Sequence, residues 1–441
     1  MLHLRHNAVS ALESTLISVA GTAPANTLAT STSTLIAAVG LSGPGALLFG
    51  AVPMFGIALS YYYLNCWRSD PGAAYTWTGS AVNPMLGFFA GWAMLVAVVL
   101  FTVVGSLPVA DATLDLIAPA LLHNVALVTA IGLIWFLIVV GMVMLGVRAT
   151  AQMQKIVTGI QIAGLALFGV GAIVKGLAHP ANHLTWSWLS PSGEGGLHGF
   201  IAGALVTMFF YWGWEVSANL SEETVDRNRA PGLSGLLGMG IILALFLVTV
   251  VGAQLQMSTK AIVDSGSDLL VGLANTVLPR PWGDLAIIVV IISAVGALET
   301  SLVSASRTVY SMGRDEVLDR RLGALNPRFL TPWNATIALG LVSMVLFGLA
   351  ATSTSVNQIL SESINAIGVE VAIFYGLSAV ACAAHYRWLW PIAPAIFVFG
   401  VAIGQVLTAG PRANAAVFGL LLSGIIPMIV YRRTYQSRYY A

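Results

Sequence analysis

The chain has 441 residues, 57% of them hydrophobic and 8% charged, with a mean hydropathy of +0.86. Soluble domains carry about a quarter charged residues, so a soluble globular domain is excluded and an all-α polytopic membrane protein is expected. The net charge of +1 gives no global field for nucleic acid or an acidic partner, and the two cysteines, Cys66 and Cys382, lie too far apart in sequence to indicate a disulfide framework or a metal site.

In chain order, "MLHLRHNAVSALEST" lacks a signal-peptide cleavage pattern and reads as a short cytoplasmic leader. A bilayer core needs about 20 apolar residues per helix. On that ruler about twelve segments follow, near 8–38, 44–64, 84–110, 125–146, 151–175, 198–220, 233–256, 283–310, 333–351, 357–383, 389–408 and 413–431. With the N-terminus inside, only Lys175, Lys260, Arg280 and Arg412 of the 19 basic residues fall outside. The positive-inside rule therefore places both termini in the cytoplasm of a multi-pass cell-membrane protein. The tail "YRRTYQSRYYA" reads as a basic, aromatic interfacial anchor. The longest joints, 65–83, 176–197, 257–282 and 311–332, leave no soluble domain. A pore, a carrier or an intramembrane enzyme fits this layout.

The first segment contains "VAGTAPAN", weak helix formers at mid-span. Gly21 suits a left-handed stop, Thr22 an N-cap and Pro24 a first helical turn. A stop followed by a start frees the amides of Thr22, Ala23 and Ala25 at the positive end of a half-helix, a site for a carboxylate. The alternative is a helix merely kinked at Pro24. Five segments later, Phe209-Phe210-Tyr211-Trp212-Gly213-Trp214-Glu215 places aromatics, a glycine and a carboxylate at corresponding depth. Paired interruptions are the mark of inverted-repeat carriers, which makes 8–175 and 198–385 two candidate repeats of a single transmembrane domain, with 389–431 as accessory helices.

Four passages carry a family resemblance: "AGTAPAN", "SDPGAAYTWTGSAVNPMLGFFAGW", "FFYWGWEVSANLSEETVDRNRAP" and "SASRTVYSMGRDEVLDRRLGALNPRFLTP". In this order the sequence resembles the amino acid permeases of the amino acid, polyamine and organocation (APC) superfamily. The resemblance implies a five-plus-five inverted-repeat (LeuT-type) core with an amino acid, or a related amine, held between the breaks of helices 1 and 6. Its carboxylate would meet Gly21, Thr22 and Ala23, and its ammonium the freed carbonyls around Phe209, Phe210, Trp212 and Gly213. Glu215 falls on the family's helix 6 glutamate and Phe209 on its aromatic gate. Two departures stand out. Ala23 and Pro24 replace a bare glycine and an amide, and Gln161 occupies the place where some proton-coupled relatives carry a lysine.

A mid-membrane carboxylate costs about 2.5–3.5 kcal/mol on insertion scales and needs a partner, a proton or a cavity. For Glu215 the readings are a titrating coupling group or structural glue. For Glu299, beside Thr300 and Ser301, they are proton relay, cation ligand or structural hydrogen bond. Asp111 and Asp115 share a face and read as a solvated outer rim, or as a vestibule drawing in polyamines. Glu362 and Glu370 line the cavity or pack between helices. The seven histidines, His3, His6, His123, His179, His183, His198 and His385, are scattered and form no metal-ligand cluster. The outer-loop stretch "WSWLSPSGEGG" has aromatic-belt character. No nucleophile with an activating base is apparent. The expectation is a carrier without cofactor, driven by a proton in preference to sodium or by exchange, with an organic cation carrier or a cation channel as alternatives.

Overall fold

The computed structural model describes residues 2–122, 124–191, 196–353 and 356–440. His123 and residues 192–195 of the outer loop lie outside the described residues, as do the side chains of His198 and Glu362. Eighteen α-helices carry the chain among those residues. Nine helical stretches are long and apolar enough to cross a bilayer, as a polytopic membrane protein requires. One of them, Ala11–Trp67, holds two of the expected segments, and two more appear as the shorter apolar helices Gly199–Phe210 and Ile392–Thr408.

The chain opens with α1 (Ala11–Gly21), set by a capping box. Ser10 Oγ accepts the Glu13 amide, and the Glu13 carboxylate accepts the Ser10 amide at 2.9 Å. After an interruption, α2 (Pro24–Val39) runs on to a bend at Gly40. α3 (Gly43–Trp67) returns, and the short α4 (Ala74–Ala81) occupies the joint read as 65–83. α5 (Pro84–Ile117) starts where Asn83 accepts the Met85 amide at 2.8 Å and Pro84 takes the first turn. It continues through Pro108 well past the expected end near 110, because surrounding helices support the backbone that proline frees. Asp111 and Asp115 are therefore helical. α6 (Val125–Met144) and α7 (Val147–Ala178) complete the first half.

α8 (Gly196–Phe210) ends in the second interruption, followed by the one-turn α9 (Val216–Asn219) and α10 (Ala230–Gln256). The joint 257–282 folds into α11 (Thr259–Asp264) and α12 (Leu269–Val277). α13 (Ala286–Arg314), α14 (Trp333–Ala350), α15 (Val356–Tyr386), α16 (Ile392–Thr408), α17 (Pro411–Ser423) and α18 (Ile425–Tyr435) follow.

Burial separates a scaffold from a lipid-facing rim. The most apolar stretch of α5 is 83% buried, packed against α15, α13 and α6, whereas that of Ala413–Tyr435 is 17% buried. Exposed Val52, Val174, Ile403, Leu407 and Ile426 face outward from helices, where lipid solvates apolar side chains as well as protein does.

Candidate substrate site

At the first interruption the helix stops and restarts, but with roles shifted from the sequence reading. Gly21 is the right-handed last residue of α1, Thr22 caps it with φ −81° and ψ −3°, and Ala23 takes the left-handed conformation at φ 45° and ψ 57°. The Thr22 hydroxyl does not cap α2; it donates back to Val19 O at 2.9 Å. The amides of Thr22 and Ala23 likewise donate to Val19 O and Ala20 O. Of the amides expected to be free, only that of Ala25 takes no backbone acceptor among the described residues.

Gly21 has a different use. A Cβ on Gly21 would overlap the Gly213 carbonyl, and a Cβ on Gly213 would overlap the Gly21 carbonyl. The two breaks touch backbone to backbone, and neither position has room for a side chain. Gly213 also has φ +107°, which other residues rarely adopt.

The second break supplies carbonyls and a held carboxylate. The Phe210, Tyr211 and Trp212 carbonyls accept no backbone amide among the described residues. Glu215, 5% exposed, accepts the Gly213 amide at 3.0 Å and the Tyr375 hydroxyl at 2.5 Å. This ties the break to α15. Trp214 stacks on Tyr375 with ring centroids 5.6 Å apart and meets Tyr61 edge-on at 5.2 Å, so the break rests on an aromatic floor.

A cavity of about 340 Å³ lies on the side of the breaks away from the N-terminal segment. Asn26, Thr30, Ser31 and Thr34 of α2 form one wall, and Phe101, Val104, Phe209, Trp212 and Ile367 form much of the other. A recess of about 20 Å³ continues it to Gly21, Thr22, Ala23, Thr27 and Ser301. Asn26, Phe101, Phe209 and Trp212 line both spaces.

The family model described as "Amino acid permease" matches residues 9–431. The chain belongs to this amino acid permease family. The permease is a membrane transporter family member and not an enzyme. It is 24% identical to an uncharacterised transporter of Mycobacterium tuberculosis over 71% of this chain and 67% of that one. It is 24% identical to the low-affinity putrescine importer PlaP of Escherichia coli K12, over 71% and 69%. It is 26% identical to the branched-chain amino acid permease BcaP of Lactococcus lactis, over 69% and 68%.

On the other side of the breaks this permease is closed by paired groups. Val9 and Thr224 form a parallel bridge, with the Ala8 and Val9 amides on Glu223 O. Beneath it Arg307, fully buried, grips Glu223 through Nε at 3.0 Å and Nη2 at 3.1 Å. Asp70 accepts from the Gly72 amide, Thr76, Ser311 and Arg314. Burial pushes the Asp70 carboxyl up, but Arg314 and these donors bring it below the usual carboxylate range. Asp315 goes the other way, raised by burial and by the Asp70 charge.

The tail, expected from its composition to be a basic, aromatic interfacial anchor, also takes part in this layer. Ser437 donates to the Asp315 carbonyl, and Tyr439 stacks on Tyr75 with centroids 4.8 Å apart. A Cβ on Gly79 or Gly87 would overlap the Tyr439 hydroxyl. Those two glycines leave the slot that the ring fills.

Of the residues singled out in the sequence, Gly21, Thr22, Ala23, Phe209, Trp212 and Ser301 meet at the recess or cavity. Gly213 backs Gly21. Phe210 is packed edge-on against Phe246 and lines neither space. Glu299 is fully buried between helices, accepting from Gln154 at 2.6 Å, and the Thr300 hydroxyl bonds back to Gly296 O and Ala297 O. Sequence reasoning missed Asn26, Phe101 and Tyr375. Asn26, Thr30 and Thr34 recur every fourth residue after the break, a helical spacing that signals a common face. Phe101 and Tyr375 sit in long apolar runs and carry no such signal.

Proposed function

We propose that this permease is a secondary carrier moving an amino acid or related amine by alternating access, through two five-helix inverted repeats (8–175 and 198–385) and two accessory helices, twelve spans in all. The observation that carries this reading is the backbone contact of the two breaks at Gly21 and Gly213, with a cavity on one side and an ion-paired layer on the other. A carrier needs one closed and one open side; a channel needs a continuous path. With both termini cytoplasmic, as the distribution of Lys and Arg favours, the cavity faces outside.

Substrate carboxylate would sit at the recess, near the Ala25 amide and the N-terminus of α2, and its ammonium near the Trp212 carbonyl just past the end of α8. Phe209 and Trp212 would close over it. A proton is the coupling ion of this proposal. Protonation of Glu215 weakens its acceptance of the Gly213 amide and the Tyr375 hydroxyl, which loosens the second break from α15. Glu299 and the hydroxyls of Thr300 and Ser301 stand as a second relay.

The test is counterflow and pH-gradient-driven uptake of labelled amino acids and of putrescine in proteoliposomes. Saturable exchange supports a carrier; high-conductance current without exchange supports a channel. Glu215→Gln should lose the pH dependence of uptake, and unchanged rate and pH response would remove Glu215 from coupling.

A further inference from the structure

The two walls of the cavity differ in chemistry. Asn26, Thr30 and Thr34 with Ser31 make a polar stripe on α2, opposite the mainly aromatic and aliphatic side chains of α5, α8 and α15, where Asn365 and, from α16, Gln405 with an unpartnered Oε1 are the polar exceptions. None of the described residues lining the cavity or the recess is charged. Glu215 is turned away to Gly213 and Tyr375. A diamine or a guanidinium brought into this space would be desolvated without a counter-charge, which is strongly unfavourable.

Asn26 sits at the junction of cavity and recess. Its backbone is held at both ends: its amide donates to Ser293 Oγ at 3.3 Å, and its carbonyl accepts the Thr30 hydroxyl at 2.9 Å. The residue is 8% exposed, and its Oδ1 is buried without a hydrogen-bond partner. A fixed carboxamide with an unsatisfied buried end destabilises the empty protein, and a ligand that hydrogen-bonds to it relieves that cost. A carboxamide offers both acceptor and donor, so its complement is a hydroxyl or another carboxamide.

Resting on the carrier reading above, we propose that the site selects a neutral zwitterionic amino acid with a hydroxyl or carboxamide side chain, and that Asn26 is the residue that reads that side chain. The breaks hold the common carboxylate and ammonium. Asn26, at the start of α2 on the cavity side, faces what differs between amino acids. The aromatic wall of Phe101, Phe209 and Trp212 covers the carbon stem.

The experiment is titration calorimetry of the purified full-length chain, with counterflow in proteoliposomes, using L-serine, L-threonine, L-glutamine, L-alanine, L-valine, L-arginine and putrescine. Wild type should bind L-serine, L-threonine or L-glutamine about tenfold or more tightly than L-alanine or L-valine, and should not bind putrescine or L-arginine. Asn26→Leu should erase that preference, bringing L-serine, L-threonine and L-glutamine down to the affinity of L-alanine. Asn26→Asp, nearly isosteric, should admit L-arginine or putrescine, and it serves where the leucine variant does not fold. Putrescine binding to wild type overturns the inference. So does an equal fall for L-serine and L-alanine in Asn26→Leu, which would put Asn26 on the shared backbone groups; in both cases the carrier reading stands. Absence of exchange with every compound fails the carrier reading and the inference together.

Discussion

The two sides of the paired breaks are built from opposite materials. On one side uncharged polar groups face mainly apolar ones across open space, and Asn26 and Gln405 each keep an unpaired carboxamide oxygen. On the other, the buried charges are paired, Glu223 with Arg307 and Asp70 with Arg314, and a backbone bridge and the tail close over them. A surface that must receive a ligand keeps its hydrogen-bonding capacity uncommitted, whereas a surface that must stay shut satisfies its own charges. In the alternating-access carrier proposed above, pairings across the shut side would break as that side opens.

The strongest way to break this contrast is to orphan a charge on the shut side. Glu223→Gln leaves Arg307 buried and unpaired and should cost about 3–5 kcal/mol, read as a lower unfolding temperature in detergent; Glu223→Leu with Arg307→Met should recover most of it. An unchanged melt in Glu223→Gln would show that the pair holds nothing shut. Gly213→Ala, at the boundary itself, adds a Cβ against the Gly21 carbonyl at a positive φ. About 3 kcal/mol of lost stability and loss of uptake are expected, and wild-type transport would deny the breaks their contact.

Asp70→Asn should cost about 1–3 kcal/mol, because Arg314 loses its nearest charge. Asp70 also fixes a pH limb. Its folded pKa lies below the unfolded value of about 3.9, so its contribution is complete above about pH 4 and is lost as the pH falls through the lowered value. Melting followed from pH 6 downward should drop in wild type and run flatter in Asp70→Asn. Parallel curves would refute this assignment. Tyr439→Ala removes the stack on Tyr75 and should cost about 1 kcal/mol, with faster protease cleavage in the joint around α4 as a second readout. At the small end, Thr30→Val and Ser31→Ala on the open side should shift stability by no more than about 0.5 kcal/mol while changing ligand affinity. A large melting shift there would mean that the open wall is structural.

Much of the fold was legible because its signals are local. The breaks were found from Gly21, Pro24 and Gly213 in otherwise apolar runs. Their inner geometry was not. Gly21 looks like a left-handed stop, yet Ala23 takes that conformation, because the missing Cβ of Gly21 is needed for Gly213. The extension of α5 past Pro108 depended on helices packed around it. The tail's aromatic and basic residues suit an interface by composition; that Tyr439 also fills a slot formed by Gly79 and Gly87 was not legible, because those glycines lie far from it along the chain.

The sequence by itself determined a polytopic membrane protein, the positions of its apolar segments and the two places where helices stop, since hydropathy and backbone restriction act within a few residues. The tertiary structure decided which side of the breaks is open, that Tyr375 holds Glu215, that Arg307 meets Glu223 and that Asn26 is left without a partner. Those are pairings between residues far apart along the chain, and only packing brings their side chains within hydrogen-bonding distance or keeps them from it.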